Sequence, residues 1–354
     1  MATFQDIQWN QPLIEPRCPP EVAADCKKQL GVVPQSIQHF GDNPHLVAMQ
    51  FYIGARPCVL LDADIVDMAE LITARENACR YCYGIQRSVM LVLGHSEKRL
   101  QELELRAEQL QNPRDRAIVE FAGKLARSQP LPALAERQAL LDVGLSSDAV
   151  AELASFIVGT CAANRTCTQL ALPPELQLEG LAHSWFVRLA RPFMVGKMRA
   201  RRLPAPDPLT YAGPFAPHLQ SISQTHGAAV FKQALDKVLS DGEISRRTKA
   251  LMLAVVCLSL GCPHSRAEIL AVLAEEGMDA ATVDRIVANL GGPELSDLDN
   301  RLLAYARQTV RYQSFQLQVK LRETVTGLSR AAILEVVLTT SVANALVRLG
   351  MLLG

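Results

Sequence analysis

Two cysteines separated by two residues, Cys79-Arg80-Tyr81-Cys82, carry the clearest chemistry in the chain. The run from Glu70 to Asn77 reads as the end of one helix and the thiols as the start of the next. At a helix N-terminus the dipole and the free backbone N–H groups favour thiolate. One helical turn also brings the two sulfurs within disulfide reach. Redox or reactive thiols are the first reading, with plain core cysteines and a metal site as alternatives. Zinc is disfavoured, because neither a second Cys-x-x-Cys nor a nearby His pair supplies more ligands. The nine cysteines are an odd number in a chain too long to need disulfide staples, so reduced thiols are expected. Cys18, Cys26, Cys58, Cys161, Cys167 and Cys257 read as small core fillers.

The elements that must hold this pair are helical. Apolar residues recur at three- and four-residue spacing, as in Ile65, Met68, Ala69, Ile72 and in Leu251, Leu253, Ala254, Val255, Leu258. Aromatic residues are 5% and strand-like alternation is rare, which predicts an all-α protein. At 354 residues the chain exceeds the size at which one core stops growing, so two domains are expected. Lys plus Arg and Asp plus Glu are 36 each, so no net field draws the chain to nucleic acid or an anionic membrane. With no run of about 18 uninterrupted apolar residues, and no basic start followed by an apolar run between Met1 and Pro20, a cytoplasmic protein without a membrane span is expected.

The sequence also matches itself at a shift of 183 positions. Cys79 lands on Cys262, Gly144-Leu145-Ser146 on Gly327-Leu328-Ser329, Glu152 on Glu335 and Arg165 on Arg348. Internal duplication follows, with units at 1–179 and 218–354 joined by a linker at 180–217. The linker opens on a basic and aromatic run (His183, Trp185, Phe186, Arg188, Arg191 and beyond) and ends rich in proline. Its basic part reads as a helix packed between the copies; an amphipathic helix touching a membrane or an acidic partner is the alternative.

Asn77-Ala78-Cys79-Arg80-Tyr81-Cys82, then Leu93-Gly94-His95-Ser96-Glu97, Gly144 to Asp148 and Ala163-Asn164-Arg165 resemble, in order and spacing, the alkylhydroperoxidase D and carboxymuconolactone decarboxylase family. Leu30 to Pro34 and Asn43-Pro44 extend the likeness, which covers roughly residues 25 to 175. It implies two tandem helical domains of that fold, related by a pseudo-twofold axis, and assembly of chains into dimers or trimers. It further implies Cys82 as the peroxide-attacking thiol and Cys79 as the resolving one. Asp67, with Glu70 one turn later as the alternative, takes the place of the relay acid. Tyr81 and Gln86 stand where the family carries histidines, and Gln86 cannot exchange protons at neutral pH. His95 reads as a helix cap or loop residue.

In the second copy the counterparts are Cys262 and His264, but Ser265 stands in place of Cys82, so no disulfide can form inside that copy. A structural role is the first expectation there, and a reactive Cys262–His264 pair the alternative. The function expected is a thiol-dependent peroxidase or disulfide oxidoreductase, acting on a hydroperoxide and recycled by a thiol reductant protein, without cofactor or metal. The alternatives are non-redox decarboxylase-like chemistry on a small organic acid and a non-catalytic ligand-binding or assembly protein.

Overall fold

The computed structural model describes residues 7–104, 107–127, 132, 134–182, 184, 204–311 and 313–353. The basic segment between residues 185 and 202 lies outside them. The described residues form eighteen α-helices and no strand, so the all-α expectation holds.

In the first half these are α1 (Pro20–Leu30), α2 (Gln35–Phe40), α3 (Pro44–Ala55), α4 (Ala63–Glu76), α5 (Arg80–Leu93), α6 (Glu97–Leu103), α7 (Pro113–Arg127), α8 (Leu134–Asp142), α9 (Ser147–Gln169) and α10 (Leu176–Ala182). The second half has α11 (Ala216–Gln220), α12 (His226–Val238), α13 (Arg246–Leu260), α14 (Pro263–Glu275), α15 (Ala280–Asn289), α16 (Asp297–Arg311), α17 (Ser314–Thr324) and α18 (Arg330–Leu349). The first residues of α4, α5, α6 and α9 lie 183 positions before those of α13, α14, α15 and α18, as the numbers 63 and 246 or 147 and 330 show.

Local chemistry sets these boundaries twice over. Gly144 and Gly327 adopt φ of 94° and 83°, where a side chain would be strained. Two residues later Ser146 and Ser329 cap α9 and α18 by accepting from the N–H groups of Ala149 and Ala332. The Gly-Leu-Ser repeat is therefore a helix stop followed by a helix start.

Helices α9 and α18 pack against each other at the centre, and nearly every residue of both is buried. Arg165 on α9 donates to the Thr309 carbonyl at 2.6 Å, and Arg348 on α18 donates to the Leu125 and Ala126 carbonyls at 3.0 and 3.1 Å. Ala126 and Thr309 are themselves 183 apart, so each arginine reaches the other half at an equivalent place. Exchange of this kind is the pattern of a self-complementary interface.

The buried apolar residues of both halves form one continuous cluster, from Ile14 to Met351, where two separate cores were expected. The reason is that α9 and α18 are buried almost all round and pack against each other, so the apolar residues of the two halves meet across them. One described segment, Arg330–Leu352, is long and apolar enough to cross a membrane by length and composition, with a mean hydropathy of 1.6. It is 94% buried within the protein, as a core helix is.

Candidate functional site

Helix α4 ends at Asn77, and Ala78 then takes φ of 44°, a left-handed conformation that costs a non-glycine residue about 1–2 kcal/mol. Three hydrogen bonds hold the turn. Ala78 N donates to Arg75 O at 2.9 Å, Cys79 N to Ala74 O at 3.1 Å, and the Ser314 hydroxyl, from the far half, donates to Ala78 O at 2.8 Å. The turn sets Cys79 as the N-cap of α5, where its sulfur accepts from Cys82 N at 3.3 Å.

The two sulfurs are 2.6 Å apart and both thiols are free. Cys79 is fully buried and Cys82 partly exposed, so Cys82 is the one that a molecule from solution can reach. Cys82 also shares a hydrogen bond with Cys167 of α9, which is buried and makes a third thiol at the site. Burial, followed by the hydrogen bonds to Cys167 and Cys79, pushes the Cys82 thiol well above its ordinary range. The helix N-terminus favours thiolate, but here desolvation outweighs it.

One turn beyond Cys82, Gln86 belongs to a polar network centred on Arg56. Arg56 leaves α3 with φ of 49°. Its guanidinium binds Asp67, the Glu70 carboxylate at 2.8 Å and the Gln86 side-chain oxygen at 2.7 Å. Gln86 donates in turn to the Asp67 backbone oxygen at 3.3 Å, and the His95 Nε2 lies 3.2 Å from the second Asp67 oxygen. Burial pushes Asp67 up, but the His95 hydrogen bond and the Arg56 charge outweigh it and hold the carboxyl below its usual value. At Glu70 burial wins over Arg56, and the carboxyl is raised. The two acids are thus set apart in proton affinity.

The relay positions inferred from the family, Asp67 and Gln86, are therefore neighbours, as is Glu70. No hydrogen bond among the described residues joins any of them to either thiol. Tyr81 does not reach the thiols by hydrogen bonding either: its hydroxyl accepts from Ser36 N and donates to Glu175, each at 3.2 Å. Burial raises its pKa well above the usual value, so it is a tether between α2 and the segment before α10. Among the described residues, one group offers metal-ligand atoms within 4.8 Å of one another, Asp64, Asp67 and His95. Arg56 already occupies one oxygen of Asp67, and its charge opposes a cation there.

Arg56 and the pairing of His95 with Asp67 were not read from the sequence. A left-handed Arg in Arg-Pro leaves no local signal, and the His95 contact spans 28 residues. In the second half Cys262 is 4% exposed and His264 is exposed. Cys262 is not hydrogen-bonded to His264 among the described residues; its partner is Ser265, whose hydroxyl donates to the sulfur at 3.2 Å. The chain matches no family model, no curated protein and no solved structure.

Proposed function

We propose that the protein is a thiol-dependent oxidoreductase in which Cys79 and Cys82 cycle between dithiol and disulfide, with a hydroperoxide as oxidant. The observation that carries this reading is the 2.6 Å approach of two free sulfurs at the start of α5. A disulfide of about 2.05 Å needs little motion from there. The partly exposed Cys82 attacks the peroxide and becomes a sulfenic acid, and Cys79 displaces water from it to close the disulfide. An external thiol reductant then restores the pair.

The likeness of residues 77–82 to the alkylhydroperoxidase D family supports the same assignment of attacking and resolving thiols. The helix starts shared at a shift of 183, and the exchanged contacts of Arg165 and Arg348, support a tandem duplication arranged about a pseudo-twofold axis. Asp67 and Glu70 are joined through Arg56 to Gln86, which lies one turn beyond Cys82.

Reduced protein is treated with hydrogen peroxide and with an organic hydroperoxide, then peptide-mapped for disulfides. The expected product is a Cys79–Cys82 bridge, absent in Cys82→Ser. Full retention of all thiols in the wild type would overturn the proposal, and a Cys82–Cys167 bridge would reassign the resolving thiol.

A further inference from the structure

A cleft of about 420 Å³ in the second half lies between α13, α15 and α16. Its apolar walls are Leu258 on α13, Val287 and Ala288 on α15 and Val310 on α16. Arg307, three residues before Val310 on the same helix, is the cation that lines it. Its Nη2 donates to the Val287 carbonyl at 2.8 Å, and its Nε is buried without a hydrogen-bond partner. Among the described residues the Arg307 guanidinium makes no ion pair. Asp284 lines the same cleft, but the Arg266 guanidinium donates to both of its oxygens, at 2.8 and 3.1 Å, and neutralises that edge.

The corresponding place in the first half is filled by carboxylates. The residues 183 positions before Leu258, Ser259, Arg307 and Val310 are Arg75, Glu76, Lys124 and Arg127. There Glu76 accepts from Arg75 at 2.7 and 3.1 Å and pairs with Arg127 at 2.6 Å, so a carboxylate sits between two guanidiniums. Lys124 pairs with Glu120 at 3.0 Å and also with Glu136. In the second half Ser259 stands in place of Glu76, with its hydroxyl turned back to the Val255 carbonyl, and Leu303 stands in place of Glu120. Leu258 and Val310 replace the two arginines, yet a cation is kept at position 307. A charge held against apolar walls without a counter-charge is costly, and a guanidinium is met best by a carboxylate through charge-assisted hydrogen bonds. A doubly charged anion would leave its remaining charge facing Leu258, Val287 and Val310.

We infer that this cleft is a binding site for a small monocarboxylic acid, taken as its anion. The carboxylate lies on the Arg307 guanidinium and supplies the counter-charge that the first half carries in its own chain. The apolar body of the acid lies against Leu258, Val287 and Val310. A few apolar atoms beside one well-placed charge are what a small-molecule pocket of this size offers. No bond is made or broken there, and none of the cysteines takes part, so the site stands or falls separately from the Cys79–Cys82 pair.

The test uses the full chain labelled at the Leu and Val methyl groups, titrated with sodium hexanoate at fixed ionic strength and followed by NMR. Saturable shifts are expected at Leu258, Val287 and Val310. Acetate, four methylenes shorter, should bind more than about tenfold more weakly. Hexan-1-ol lacks the charge and inorganic phosphate lacks the apolar body, so neither should saturate these methyls where hexanoate does. Arg307→Gln should weaken hexanoate by about tenfold to a hundredfold. Ser259→Glu, which builds a carboxylate into the cleft wall, should engage Arg307 from within and weaken hexanoate to a similar degree. Should Arg307→Gln fail to fold, Ser259→Glu and the comparison of hexanoate with hexan-1-ol suffice. The inference is overturned if hexanoate leaves these methyls unmoved, if hexan-1-ol or phosphate binds as tightly as hexanoate, or if the folded variants bind hexanoate like the wild type.

Discussion

Arg56 is the residue on which the polar side of the Cys82 site depends. It is 19% exposed at the side chain and faces Asp67, which is fully buried. Removing one partner of a buried pair leaves the other charge without compensation, so Asp67→Asn should destabilise the protein by about 3 kcal/mol at pH 7, as read by urea unfolding. The folded state holds the Asp67 carboxyl below its unfolded value of about 3.9. Its contribution is therefore complete above that value and is lost as pH falls through the lower folded one. The gap between wild type and variant should shrink below about pH 4; a gap unchanged down to pH 3 would mean that Asp67 does not carry that charge. At Cys82 the sign is opposite, since burial raises the thiol. Its site-resolved alkylation rate should keep rising through pH 9, and a plateau below pH 8 would show a depressed thiol instead. The cysteine pair was legible as a local motif, whereas Asp67, with Glu70 as its alternative, was named only through the family resemblance. Arg56 and the His95 contact with Asp67 were not legible, since they act across 11 and 28 residues that no helical period encodes.

Among the elements, the turn into α5 matters most, because it places both thiols. Ala78 and Gly261 occupy equivalent positions 183 apart and share the left-handed region, with φ of 44° and 68°. Gly261 has open space around it, so Gly261→Ala tests backbone strain alone and should cost about 1 kcal/mol in thermal unfolding. Ala78→Gly relieves the same strain and should cost nothing measurable, the gain offsetting the added freedom of the unfolded chain. Equal losses in both variants would contradict a shared backbone conformation. The helical period made the all-α character legible in the sequence. The tension at Ala78 was hidden, because alanine gives no sign of a positive φ, and Ser314, which clamps it from 236 residues away, looks like an ordinary helix-start serine.

In the whole molecule, one cluster of buried residues runs through both halves of the chain. Helices α9 and α18 bury almost every residue against each other and their surroundings, and Arg165 and Arg348 hold opposite halves through exchanged carbonyl contacts. A chain ending at residue 179 would expose the face of α9 that α18 covers. It should therefore fail to give a cooperatively folding monomer, and should self-associate in gel filtration. A sharp thermal transition from a monomeric first half would contradict a shared core. The 183-residue offset was legible, whereas the single continuous cluster of buried residues was not. Apolar content measures how much surface is buried but not which partner covers it.

The central claim, that Cys79 and Cys82 interconvert between dithiol and disulfide, is met most directly by a redox titration of the full chain. Protein is equilibrated across a series of dithiol-to-disulfide buffer ratios, quenched with acid, alkylated and mapped by mass at the peptide carrying both cysteines. A two-electron transition is expected, with a tenfold change in the oxidised-to-reduced ratio for about every 30 mV, and the bridge assigned to Cys79 and Cys82. A pair that stays fully reduced at every poise would contradict the claim and leave these cysteines as core residues of α5.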